Sequence, residues 1–160
     1  MKLKPIITAA LVLAACTPKT ADLKINDLDY FETRGANVLV YSNNFDGGFN
    51  DEKNSGLEII HHGVRTVQGG AIRLCNTPEQ WDLVPKMTER IIDKENNTIE
   101  VGLNYPDYDF NSRLIVTGDG SKFTVDVYLD KPVPEFLVGK AGLNLEFLPS
   151  QYWNKTYTMD

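Results

Sequence analysis

Asp107 and Asp109 stand two residues apart in Tyr105-Pro106-Asp107-Tyr108-Asp109-Phe110. Paired carboxylates are the minimum equipment of a glycosidase, whose acid and base lie roughly 5–9.5 Å apart. Here the two acids fall in a short loop, and nothing around them in so small a chain suggests a cleft, so the spacing points to a solvated turn. His61 and His62 are adjacent in a β-rich run, which predicts side chains on opposite faces. One is expected inward and hydrogen-bonded, the other on the surface, and together they make no two-histidine chelate. No G-x-S-x-G elbow is present to supply a nucleophile. The oxygen-rich stretch Asp46-Gly47-Gly48-Phe49-Asn50-Asp51-Glu52 lacks the ligand spacing of an EF-hand loop and reads as a glycine-rich solvated loop. No metal site, no cofactor and no catalytic residue is expected.

Aromatic side chains offer a different chemistry. A pyranose presents apolar C–H faces, and a flat ring packs against them. Trp81, Tyr105, Tyr108, Tyr152 and Trp153 are the rings considered, and core packing competes for each. Trp81, in Pro78-Glu79-Gln80-Trp81-Asp82, fits packing against the end of a sheet. Trp81, Tyr108, Tyr152 and Trp153 are retained as candidate carbohydrate contacts.

Chemistry of another kind lies at the N-terminus. Lys2 and Lys4 precede a stretch, residues 6–15, that is apolar or small apart from Thr8 and ends in Leu13-Ala14-Ala15-Cys16. Spanning a bilayer takes about 20 apolar residues, so this tract reads as a cleavable signal. A cysteine directly after two small residues reads as a lipoprotein cleavage site, with the Cys16 thiol as acyl acceptor. More than one acyl chain is needed for stable anchoring, and a diacylated or triacylated Cys16 meets that need. The expected location is the bacterial cell envelope, on the outer membrane, with the leaflet open.

Removing Lys2 and Lys4 takes the formal charge from -6 to -8. Nucleic-acid binding needs a basic stripe, so that class is excluded, and membrane contact is expected through lipid alone. With Cys16 acylated, Cys75 has no cysteine left to pair with in this chain and reads as a small buried hydrophobe beside Leu74.

These groups must be positioned by short strands. The expected division is a signal over 1–15, a tether over 16–29, a β-sandwich over 30–150 and a tail over 151–160. Residues 37–42 and 56–61 are β-rich runs, and 64–67 and 71–74 flank Gln68-Gly69-Gly70 as a hairpin. Ile99, Val101, Leu103 and Tyr105 alternate with Glu100, Gly102 and Asn104, giving one apolar and one wet face. Glu95-Asn96-Asn97 supplies the turn before them. Residues 113–117 and 122–130 flank Gly118-Asp119-Gly120-Ser121, with Phe123, Val125, Val127 and Leu129 opposite Thr124, Asp126 and Tyr128. Residues 141–148 repeat the alternation. Only residues 77–90 are able to hold a helical turn. The expected fold is all-β, an antiparallel Ig-like β-sandwich of about seven to nine strands.

Four stretches together carry a resemblance: Asn37-Val38-Leu39-Val40-Tyr41-Ser42-Asn43, the run from Gly56 through His61-His62-Gly63 to Thr66, Thr77-Pro78-Glu79-Gln80-Trp81-Asp82, and Gly142 to Ser150. The set resembles the N-terminal β-sandwich of lipoprotein glycoside hydrolases from gut polysaccharide degraders, cellulase-like and close to glycoside hydrolase family 9. It covers about residues 30 to 155. In that family the sandwich precedes an (α/α)-type barrel bearing the catalytic carboxylates, and no catalytic position has a counterpart here. The resemblance implies a non-catalytic module of a truncated or split hydrolase, able to pack against a catalytic domain. The alternative is a stand-alone surface lipoprotein that binds polysaccharide.

Overall fold

The computed structural model describes residues 21–44, 54–73 and 85–156. Cys16, Cys75, Trp81 and the 46–52 loop lie outside these residues.

Within them the fold is all-β, two antiparallel sheets packed as a sandwich. The strands are β1 (Lys24–Ile25), β2 (Phe31–Thr33), β3 (Ala36–Asn44), β4 (Asn54–His61), β5 (Val64–Arg73), β6 (Lys86–Asp93), β7 (Thr98–Tyr105), β8 (Phe110–Asp119), β9 (Lys122–Leu129) and β10 (Gly142–Phe147). The larger sheet runs β1-β2-β3-β4-β5-β10 and the smaller β6-β7-β8-β9. Ten strands exceed the seven to nine expected. The short β1 and β2 carry too few residues to show a period-2 pattern, and residues 86–90, within the stretch allowed a helical turn, are strand.

Alternation drives the layering. In β7 and β8 the residues Ile99, Val101, Leu103, Tyr105, Phe110, Leu114 and Val116 are buried. They meet Val38, Val40, Leu57 and Ile72 of the other sheet in one core. Burying side chains of this size stabilises by about 1.5–3 kcal/mol each, before chain entropy is counted. The opposite face of β7 and β8 carries Glu100, Asn104, Asn111 and Arg113 and stays wet, as one face of an antiparallel sheet can.

Among the described residues, polar links join the layers at several places. The Ile72 N–H donates to Tyr105 Oη at 2.8 Å. Arg90 Nε donates to the Val40 carbonyl at 2.8 Å, and its Nη2 reaches the Asp29 carbonyl and Ser42 Oγ. Asn97 Nδ2 donates to the carbonyls of Leu23 (2.9 Å) and Gly118 (2.8 Å), while Oδ1 accepts from the Ile25 N–H at 3.0 Å. This last link places the chain from Leu23 onward inside the fold. Leu23 is buried, and Lys24 and Ile25 pair with Glu32 and Phe31. Residues 23–29, expected to belong to a tether, are therefore part of the sandwich. A low density of large apolar residues hid a strand that is held mainly through its backbone.

The hairpin expected at Gln68-Gly69-Gly70 is absent, and β5 runs straight through it. Gly69 (φ 125°) and Gly70 (φ 89°) form an irregularity opposite the register shift between Leu143 and Leu145 of β10. The two glycines serve close approach. A Cβ on Gly70 would come 2.6 Å from Leu57 Cβ, and one on Gly69 would come 2.5 Å from the Asn144 carbonyl oxygen. Glycine inside a strand often marks such a bulge. The real hairpin is one turn earlier, at His62-Gly63.

Candidate functional site

His61 closes β4, and His62 occupies the turn with φ 49°. That left-handed residue breaks the alternation, so the two side chains do not take opposite faces. Both histidines are exposed, with rings edge-to-face at 4.3 Å. The inward, hydrogen-bonded histidine expected from sequence is therefore not found. The His62 N–H donates to the Gly35 carbonyl at 2.8 Å, which makes the pair part of a turn. Among the described residues no group of three or more His, Cys, Asp or Glu side chains is placed to hold a metal ion.

Asp107 lies in a 3-10 turn, Pro106–Tyr108, and Asp109 follows it at φ 46°. Both are exposed, and the Asp109 carboxylate pairs with Lys131 Nζ at 2.7 Å. Glu58 is the buried carboxylate among the described residues, and its Oε1 lies 2.7 Å from Arg65 Nη2. A buried acid held by an arginine is a structural pair unless a substrate reaches it.

The aromatic candidates separate. Tyr105 is a core residue. Tyr108 is half-buried against the core and stacks with Phe136, ring centroids 6.1 Å apart and planes 28° apart. Tyr152 sits on α1 (Pro149–Tyr152), edge-on to Phe147 at 5.3 Å. Trp153 follows directly. Phe147, Tyr152 and Trp153 are 59%, 39% and 77% exposed, an aromatic ledge beyond the end of β10. The structure thus keeps Tyr152 and Trp153 near each other in one short segment and leaves Tyr108 in a different pair.

A second surface was not anticipated from sequence. On the wet face of the smaller sheet the register aligns Glu89, Gly102, Arg113 and Tyr128 across four strands. Gly102 has no side chain, and a bulge in β6 between Met87 and Glu89 leaves both Thr88 and Glu89 exposed beside it. The result is an open depression of about 340 Å³, at the small end of ligand pockets, which run about 300–1,000 Å³. A Cβ on Gly102 would meet Thr88 Oγ1 at 2.5 Å and Glu89 Cγ at 3.1 Å, so glycine lets these two side chains settle onto the strand and form one wall of the recess.

The polar groups around it are held in place. Arg113 Nε lies 2.8 Å from Glu100 Oε1. At the other end Asn104 Nδ2 donates to Asn111 Oδ1 at 2.7 Å, and Asn111 Nδ2 donates to Asp130 Oδ2 at 2.8 Å. Desolvation pushes the Asp130 carboxyl up, but hydrogen bonds from the Asn111 side chain and backbone, helped by Lys131, outweigh it and hold the acid below its ordinary range. Tyr128 is 56% exposed beside them. The alternation in β9 already put Tyr128 on the outer face, but sequence held no sign of which residues share that face with it. Comparisons with protein-family models, curated proteins and solved structures return no match for this chain.

Proposed function

We propose that this chain is a non-catalytic β-sandwich module of an envelope-anchored, glycan-degrading lipoprotein, packed through its aromatic ledge against a catalytic domain. The observation that carries this reading is the ledge itself. Phe147, Tyr152 and Trp153 stand in water within one short segment, and clustered exposed apolar surface marks interaction sites. Trp and Tyr are also the residues that anchor interfaces most often. The occupant comes from the resemblance of residues 37–43, 56–66, 77–82 and 142–150 to a sandwich that adjoins a hydrolase barrel. The signal-like tract ending at Cys16 supports an anchored location.

Two measurements test the reading. The coding sequence on either side of this chain should specify a glycoside hydrolase catalytic domain, in frame or as a neighbouring gene; unrelated genes on both sides would overturn the assignment. Incubated with β-glucan or xyloglucan, the purified chain should release no reducing sugar. Robust hydrolysis would show the module to be an enzyme in its own right.

A further inference from the structure

We infer that the depression over Gly102 is a binding site for a short neutral oligosaccharide of equatorial pyranose rings, separate from the aromatic ledge. The inference does not rest on the docking reading, since it concerns a different surface.

Three features of the depression converge on this ligand class. First, Tyr128 stands largely in water near the C-terminal end of β9, cross-strand from Arg113. An exposed phenol beside a recess offers a face for ring stacking, and a pyranose with equatorial hydroxyls has flat C–H faces that match it. Second, the polar groups suit hydroxyls, which both donate and accept. Asp130 and Glu89 accept, the Arg113 guanidinium and Asn111 amide donate, and all four border the same recess. Third, the groups are already ordered. The Asn104–Asn111–Asp130 chain and the Arg113–Glu100 pair fix side chains that would otherwise lose rotamer freedom on binding. Strands provide a more rigid platform for such a site than loops do.

Charge narrows the class. Arg113 is offset by Glu100 and Lys131, beside Asp130, by Asp109, while Glu89 makes no ion pair among the described residues and Asp130 is held ionised by Asn111 with help from Lys131. The recess therefore carries net negative charge, which disfavours uronic-acid or sulfated chains and leaves neutral hydroxyl-rich ones. Its volume of about 340 Å³ suits a stretch of few rings.

Calorimetric titration of the full chain with cellotetraose and with xylotetraose tests the site, with amide NMR shifts to locate it. Binding of at least one of these sugars is expected, with shifts centred on Gly102, Arg113 and Tyr128. Tyr128→Ala should weaken it about tenfold or more, and Tyr128→Phe should retain most of it. Because Tyr128 is exposed, both variants should melt with the parent. Trp153→Ala should leave the affinity unchanged, which separates this site from the ledge, and tetragalacturonate should bind more weakly than the neutral sugars. Flat titrations with both neutral probes, full affinity in Tyr128→Ala, or equal affinity for tetragalacturonate would each overturn the proposal. Hydrolase genes beside this chain would bear on the docking reading alone.

Discussion

The hydroxyl of Tyr105, at the end of β7, accepts the backbone N–H of Ile72 in β5 at 2.8 Å. The bond crosses from one sheet to the other inside the core, where both residues are buried. Burial raises the Tyr105 phenol well above its ordinary range, so it is neutral at neutral pH. Tyr105→Phe keeps the ring and removes the acceptor, leaving a buried N–H unsatisfied. Unfolding in urea should show a loss of about 1–3 kcal/mol with an unchanged m-value.

Asn97 combines two demands in one residue. Its backbone turns at φ 56°, and its buried side chain makes the three bonds to Leu23, Ile25 and Gly118. Substitution separates them. Asn97→Gly keeps the turn and loses the bonds, while Asn97→Ala loses both, so the alanine variant should be the less stable of the two by about 1 kcal/mol. In both, hydrogen exchange at Lys24 and Ile25 should accelerate, because β1 loses the Asn97 side-chain bonds and keeps toward the smaller sheet the Leu23 N–H bond to the Gly120 carbonyl. Unchanged exchange there would show that pairing with β2 and the Leu23–Gly120 backbone bond suffice to hold β1.

Gly56 faces the bulge of β5. A Cβ there would overlap the Gly69 carbonyl oxygen and crowd the Tyr41 ring, 3.3 Å away. Tyr41 is buried and left-handed at φ 49°, so it has little freedom to move aside. Gly56→Ala should destabilise by about 1–3 kcal/mol, as overpacking does. Gly120→Ala offers a contrast, since its Cβ would meet open space and only its φ of 56° is strained. Thermal melts of the two variants should rank them in that order.

Glu146 sets an acid limit on the edge strand β10. The Gln68 side chain donates to it at 3.0 Å, and with Asn144 and Arg73 it holds the carboxyl below its ordinary value. A carboxyl depressed in the folded state contributes stability above the usual carboxylate range and loses it as pH falls through the folded value. Hydrogen bonds from Asn96 depress Asp93 in the same way. Stability should therefore fall as pH drops from about 5 toward 2. Glu146→Gln should flatten that fall, and because the pair with Arg73 is partly exposed, added salt should reduce the difference between the two proteins.

Much of the smaller sheet was legible in the sequence. Ile99, Val101, Leu103 and Tyr105 repeat every second residue, and an apolar period of two can bury its side chains on one face only as a strand. The turn at Asn97 was legible for a similar local reason, since Asn tolerates positive φ. Gly69-Gly70 misled because glycine signals both turns and close backbone approach, and only Leu57 and Asn144, distant in sequence, decide between them. His61 and His62 misled because one left-handed residue cancels the alternation.

The candidate carbohydrate surface shows the same division. That Tyr128 faces outward follows from its place between Val127 and Leu129. That it shares a recess with Glu89, Gly102 and Arg113 follows from strand register, a property of four segments and not of any one. Sequence by itself determined the all-β class and the two faces of the alternating strands β7 and β9, because backbone pleat and hydrophobic burial act locally. Tertiary structure alone decided which polar groups meet on the wet face, because cross-strand hydrogen bonding sets neighbours that sequence distance does not encode.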